Sequence, residues 1–205
     1  MAGIRPEALR DSLRYCGEHL QIWDYSEFNM PSWRLFEAAR EPLNVPIGYS
    51  PGLTRIPKSA DQEIDVLFYG GPGGPRLRIF QELCSRLLKA VFVHGLYGAS
   101  RDGLIAKSKL IVNINQYPQY GIFEIARASY LLANSKAVVS DCSSASKIER
   151  DIKDAVRFCP LDQVTRECMK LLEDDSARTR LEGEGFEIMR RRDIRKLLES
   201  AVARL

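Results

Sequence analysis

The sequence predicts an α/β protein in which a parallel sheet is covered by helices on both faces. Three observations carry this. Short β-rich runs recur from Ile64 onward and alternate with stretches whose apolar residues fall at helical spacing. The runs at 64–69 and 109–114 are nearly continuous in apolar residues, as strands buried on two faces are. The first of them ends in a glycine- and proline-rich turn, Gly70-Gly71-Pro72-Gly73-Gly74-Pro75, that leads straight into a helical pattern.

Taken in order, Ile64–Tyr69 is the first strand of this pattern. Leu77, Phe80, Leu83, Cys84, Leu87 and Leu88 then mark a helix, with Pro75 or Arg76 in its first turn, where a missing N–H costs nothing. Ala90–His94 is a second strand, closed by Gly95. A short helix fits Arg101–Ser108. Lys109–Ile114 is a third strand and runs into the polar loop Asn115–Gly121.

Ile122–Asn134 is apolar nearly all round, its only charges being Glu124 and Arg127, and reads as a buried helix. Lys136–Ser140 and Ala155–Cys159 are the fourth and fifth strands. The polar segment Asp141–Asp154 between them reads as loop with a short helix. Leu161, Val164, Cys168, Leu171 and Leu172 mark another amphipathic helix. Ser176 suits the N-cap of the next, and Asp193–Leu205 is helical. Residues 61–205 therefore predict a Rossmann-like domain of five or six parallel strands.

Residues 1–60 differ. Pro6–Cys16 reads as a helix, Leu20–Tyr25 as a strand, Ser32–Ala39 as a helix, Val45–Tyr49 as a strand and Pro51–Ala60 as a linker. One βαβ unit cannot bury a sizeable core, so this segment must pack on the main domain or on another chain.

Composition bounds the function. The 205 residues are 45% hydrophobic and 28% charged, with a net charge of +3. That is an ordinary globular composition and excludes disorder, collagen and coiled coil. Apolar stretches such as 129–140 fall short of the roughly 20 residues that span a bilayer. The N-terminal MAGIRPEALRDSL has no signal-peptide core.

Near-balanced charge argues against nucleic acid as a partner. Arg190-Arg191-Arg192 with Arg195 and Lys196 reads as a solvated helix face, or as a peripheral contact with an anionic membrane surface. The cysteines at 16, 84, 142, 159 and 168 are odd in number and form no CxxC. They read as reduced thiols in a cytoplasmic protein, with Cys84 and Cys168 on apolar helix faces. His19 and His94 are the only histidines, too few for a structural zinc cluster.

Open α/β sheets bind ligands beyond the carboxyl ends of their strands. Gly70–Gly74 holds four glycines in five residues, with Arg76 and Arg78 just beyond. It reads either as a phosphate cradle of backbone N–H groups or as a flexible strand-to-helix turn. Neither a dinucleotide fingerprint nor a Walker A loop is present.

Glu124 and Arg127 lie three apart and share a helix face. They form either an internal ion pair or a carboxylate available to a ribose diol. His94, at a strand end, is either structural or functional. Asp61, Glu63 and Asp65 share one side of a strand without a calcium-loop glycine, and Asp141–Ser144 reads as a solvated turn.

The runs IDVLFYGGPGGPRLRIFQEL and KLIVNINQYPQYGIFEIARASYLLANSKAVVSD resemble the C-terminal, donor-binding half of GT-B glycosyltransferases, in particular the group 1 and CgeB-like families. The likeness covers residues 45–205, and VPIGYSPGLTRIP is similar to the linker between the two domains of those proteins. The FE-x-x-R run is its most specific part.

The resemblance implies a transferase that takes a sugar from a nucleotide-diphosphate sugar, with no metal and no cofactor. It implies that Gly70, Gly71, Gly73 and Arg76 face the diphosphate, that Glu124 holds the ribose, and that His94, Asn115 and Gln116 complete the donor site. Gln116 stands where many members carry a second acid. The catalytic base is unassigned; Asp24 is the only acid of the N-terminal remnant that ends a strand. The alternative is a non-catalytic nucleotide-binding or scaffolding protein on the same fold. A full enzyme of this kind has an N-terminal acceptor domain. Its place would be taken here by a homodimer or a partner chain that covers Leu20, Ile22, Trp23, Phe28, Trp33, Leu35 and Phe36.

Overall fold

Val66, Leu110 and Ala137 stand side by side in register across three parallel strands, and Leu67, Ile111 and Val138 form the next row. All six are fully buried. Successive side chains of a strand point to opposite faces, so both faces of this sheet are covered. The structure, a computed structural model, describes residues 6–33, 40–115 and 121–205. The chain divides into two compact units, Met1–Gly48 with Asp193–Leu205, and Tyr49–Arg192.

The larger unit is built from β3 (Ile64–Tyr69), α3 (Pro75–Ser85), β4 (Ala90–Val93), α4 (Gly98–Ala106), β5 (Ser108–Asn113), α5 (Ile125–Leu132), β6 (Ala137–Asp141), β7 (Arg157–Cys159), α6 (Val164–Glu173) and α7 (Asp175–Arg191). Its five strands are ordered β4-β3-β5-β6-β7 and are parallel throughout. This is the Rossmann-like sheet predicted from the sequence, with 64–69 and the third strand in its interior. On one face, Val66, Phe68, Leu110, Val112, Ala137 and Val139 pack with Ile79 and Leu83 of α3 and with Val164, Cys168 and Leu171 of α6. On the other, α4 lies against β3 and β5, and α5 against β6.

The chain leaves β3 to form β4 on one side, then crosses back through α4 to form β5 on the other. The carboxyl ends of β3 and β5 therefore flank the topological switch point, where such sheets open a crevice.

Several boundaries differ from the sequence reading. Helix α3 buries Arg76, Ile79 and Leu83, whereas Leu77 and Cys84 are exposed. Leu87 is 94% exposed in a turn with φ 61°. Of the predicted stripe, Leu83 is in the core and Phe80 and Leu88 pack against it, and the buried face also includes Ile79 and Arg76.

Helix α5 starts three residues later than predicted. Phe123 N donates to Lys147 O and Lys147 N donates to Gly121 O, so Ile122 forms an isolated parallel bridge with Lys147 instead of a first helical turn. Helix α7 is capped by Asp174, which accepts from Ala177 N at 2.8 Å, rather than by Ser176.

The smaller unit holds α1 (Pro6–His19), β1 (Trp23–Asp24), α2 (Met30–Trp33), β2 (Leu43–Asn44) and α8 (Ile194–Val202). β1 and β2 are parallel, as a βαβ connection requires. The second strand precedes the predicted Val45–Tyr49, in which Pro46 removes a ladder donor. Of the helix expected over 32–39, residues 34–39 lie outside the described residues. Asp24 is spent on local structure. It accepts from Ser26 N, from Asn29 Nδ2 and, at 2.9 Å, from Trp33 Nε1. Among the described residues no helix is long and apolar enough to cross a membrane.

Candidate functional site

The glycine turn closes β3 at the switch point. Gly70 has φ +126°, a region that side chains rarely adopt, and a Cβ there would lie 3.0 Å from Arg127 Nη2 and 3.4 Å from Arg76 Nη1. Glycine at 70 thus lets two guanidiniums approach the backbone.

Arg76 sits in the first turn of α3 with a side chain only 4% exposed. Its Nε donates to Ile114 O at 2.7 Å, Nη1 to Gly71 O at 3.1 Å and Nη2 to Glu124 Oε1 at 2.8 Å. One side chain therefore ties the glycine turn to the end of β5 and to the start of α5. Burial lowers its pKa, and the adjacent Glu124 carboxylate opposes that shift.

Glu124 is the N-cap residue of α5. Its second oxygen, Oε2, lies 2.7 Å from Arg127 Nη2, so the i,i+3 ion pair read from the sequence is present. The Glu124 side chain remains 30% exposed. Each carboxylate oxygen has two lone pairs, which leaves acceptor capacity beyond the two arginines. Arg127 Nη1 also donates to Asn113 Oδ1 at 3.2 Å.

Two clefts flank this Arg76–Glu124–Arg127 cluster. One, of about 300 Å³, is lined by Asn113, Asn115, Glu124, Ser140 and Asp141 among others. Asn115 N donates to Asp141 Oδ1 at 2.8 Å, and burial pushes the Asp141 carboxyl above its ordinary range. The other, of about 450 Å³, is lined by Tyr69, Gly70, Gly71, His94, Arg101 and Arg127 among others. His94 Nδ1 lies 3.1 Å from Gly70 O and donates there in the Nδ1–H tautomer. Burial pushes the Tyr69 phenol up to about 12.

Of the residues singled out from the sequence, Gly70, Gly71, His94, Asn115 and Glu124 line the clefts, whereas Arg76, expected to face a diphosphate, is turned inward onto two carbonyls and Glu124. Nothing lies within 4 Å of a Cβ placed on Gly73, so its position is open. Gln116 lies outside the described residues. Asn113 and Ser140 lie at the carboxyl ends of their strands, where the sequence reading places a ligand. Tyr69, Arg101 and Tyr130 were not picked out as site residues; of these, Tyr69 carried a signal as the last residue of the strand before the glycine turn.

Several other charged residues are committed elsewhere. Glu63 pairs with Lys107 and Asp65 with Lys109. Arg190 pairs with Glu187, and Arg192 bonds both Asp151 and Glu149.

A parallel sheet ordered in this way, with charged clefts at its switch point, defines a Rossmann-like α/β protein. Among the solved structures it matches are GT-B glycosyltransferases. Anabaena HepE in complex with UDP and glucose superposes with a TM-score of 0.69 at 10% identity, over 98% of this chain and 67% of that one. TarM gives 0.67 at 9% identity, over 99% and 47%. Sucrose-phosphate synthase from Thermosynechococcus elongatus gives 0.64 at 13% identity, over 100% and 63%. At these identities the likeness is one of fold.

No family model matches the chain. Two uncharacterized proteins of Acanthamoeba polyphaga mimivirus are related in sequence. L138 is 26% identical over 177 residues, 82% of this chain and 19% of its own length. L140 is 24% identical over 163 residues, 76% and 52%. The chain thus spans about a fifth of the first relative's length and about half of the second's.

Proposed function

We propose that this chain is the nucleotide-sugar-binding part of a GT-B-type glycosyltransferase, related to the group 1 and CgeB-like families, that works without a metal. The observation that carries the reading is the meeting of the Gly70–Gly71 turn and Glu124 on one buried arginine at the switch point. HepE, with the same fold, has been solved with UDP and with UDP-glucose.

In this reading the turn at Gly70, Gly71 and Gly73 receives the diphosphate. Glu124 accepts hydrogen bonds from the ribose hydroxyls through its remaining lone pairs, and His94, Asn115 and Gln116 border the donor. Transfer breaks the bond between the anomeric carbon and a diphosphate oxygen. The negative charge that develops on the departing diphosphate is met by guanidiniums already in place, so little reorganisation is needed as the bond breaks. The acceptor site and the base would come from a further domain, a second copy or a partner chain. Exposure of Leu20, Trp23 and Tyr25 supports a covering partner.

Thermal-shift screening and calorimetry with UDP, GDP, dTDP and their sugars test this. Binding accompanied by slow hydrolysis of the sugar nucleotide supports the enzyme. The second reading, a non-catalytic protein on the same fold, is favoured by the engagement of both Glu124 oxygens inside the protein. Absence of any shift at millimolar ligand would establish it over the first.

A further inference from the structure

Three guanidiniums and two tyrosine rings alternate in one series, of which Tyr69, Arg101, Arg127 and Tyr130 line the cleft of about 450 Å³. Arg55 lies 5.3 Å from the centre of the Tyr130 ring. Arg101 lies 4.8 Å from Tyr130 and 5.8 Å from Tyr69. Arg127 lies 5.3 Å from Tyr69 on the other side of the series. Each ring is therefore approached by two cations, an arrangement that costs repulsion between the guanidiniums and that cation–π attraction offsets.

Two carboxylates bond the members of this series. Asp102 lies 3.1 Å from Arg101 and 3.4 Å from Arg55, and accepts from Tyr130 Oη at 2.8 Å. Glu124 bonds Arg127 and Arg76. Arg55, Arg76, Arg101 and Arg127 thus share Asp102 and Glu124, which leaves a surplus of two positive charges beside a cleft of about 450 Å³. Arg76 is turned inward onto two carbonyls and Glu124. Arg101 and Arg127 line the cleft and are 21% and 18% exposed.

We infer that the Arg55–Tyr130–Arg101–Tyr69–Arg127 series is a preorganised dianion site, in which Arg101 and Arg127 make the contacts to a diphosphate. That the diphosphate belongs to a sugar nucleotide rests on the function proposed above; the site itself does not. The tyrosine faces hold the planar forks in place, so little side-chain freedom is lost when the anion arrives. Gly70, with φ +126° and a Cβ position 3.0 Å from Arg127 Nη2, leaves the floor of the cleft free of a side chain.

Inorganic pyrophosphate is the probe, titrated calorimetrically into wild type, Arg101→Gln and Arg101→Lys. Wild type is expected to bind it, with affinity that falls as KCl rises from about 50 to about 500 mM. Arg101→Gln is expected to lose about tenfold or more, as removal of a charge-assisted contact does. Arg101→Lys recovers part of that loss, because charge returns without the planar fork. Wild type that ignores pyrophosphate, affinity indifferent to salt, or variants that bind as wild type does would each overturn the inference, whatever UDP does. Arg101-dependent pyrophosphate binding with UDP, GDP and dTDP no tighter than pyrophosphate would instead sink the donor reading and leave the anion site standing. The salt titration uses wild type alone, so it decides even if a variant does not fold.

Discussion

Arg76 Nη2 donates to Glu124 Oε1 across 48 positions of sequence, at 2.8 Å, and joins the first turn of α3 to the start of α5. The two ends of the crevice are therefore not independent. A change at Glu124 acts on the glycine turn through Arg76, and on the cationic wall through Arg127.

Glu124→Gln is accordingly expected to act twice. The amide keeps an acceptor oxygen but loses the charge that balances two guanidiniums. Breaking a buried pair costs on the order of 3–5 kcal/mol, and the partial exposure of Glu124 reduces this to about 2 kcal/mol. UDP affinity should fall about tenfold or more, since hydrogen bonds to a charged acceptor are lost. Thermal melting and calorimetry on the one variant separate these effects. A lowered melting temperature with unchanged UDP affinity would remove Glu124 from the ribose site.

Lys136 gives a pH-dependent prediction. It is 1% exposed immediately before β6, with Nζ 3.3 Å from the carbonyls of Ala106 and Ser108. Burial lowers its pKa from 10.5 to about 8. Between these values the unfolded chain holds a proton that the folded chain has released, so this residue makes stability rise with pH from about 8 to about 10.5. Below pH 8 the buried ammonium costs about 3 kcal/mol. Lys136→Met should stabilise the protein at pH 7 by about 1–3 kcal/mol in urea unfolding, with the gain shrinking above pH 8. The difference from wild type isolates Lys136 from the buried thiols of Cys159 and Cys168, whose raised pKa values act in the opposite sense.

Gly183 and Gly185 lie in the same helix, and alanine should have opposite effects at the two. A Cβ on Gly183 meets nothing within 4 Å, so Gly183→Ala gains helix propensity of up to about 1 kcal/mol. A Cβ on Gly185 would lie 2.8 Å from Leu132 Cδ2 and 2.9 Å from Ala155 O. The carbonyl is backbone and cannot swing aside, so Gly185→Ala should destabilise by about 1–3 kcal/mol. Chemical unfolding of the two variants checks the sign at each site.

Asp24→Ala tests whether the acid at the end of β1 is structural. Loss of its bonds to Ser26 N, Asn29 and Trp33 should cost about 1–2 kcal/mol and shift Trp33 fluorescence, with UDP affinity unchanged. A fall in transfer or hydrolysis rate without loss of stability would instead make it a catalytic group.

The strands β3, β5 and β6 were legible because burial on two faces demands apolar residues at nearly every position, a pattern visible without any partner. The Glu124–Arg127 pair was legible because both residues lie on one helix at a spacing that makes them neighbours. The short strands β1 and β2 were misplaced by a few residues. Two-residue strands carry no periodicity, and their pairing is set by a segment 20 positions away.

The sequence by itself determined the alternation of strands and helices, the parallel sheet, and the glycine turn that ends its first strand. Those follow from local rules: side-chain period, two-faced burial and the conformational freedom of glycine. Only the tertiary structure decided that Arg76 points inward rather than toward the crevice, and that Arg55, Arg101 and Arg127 alternate with Tyr130 and Tyr69. These residues come from the segment before β3, the end of β3, α4 and α5. No spacing in the chain encodes their meeting; it arises because the strand order β4-β3-β5 brings those separate segments together at the carboxyl end of the sheet.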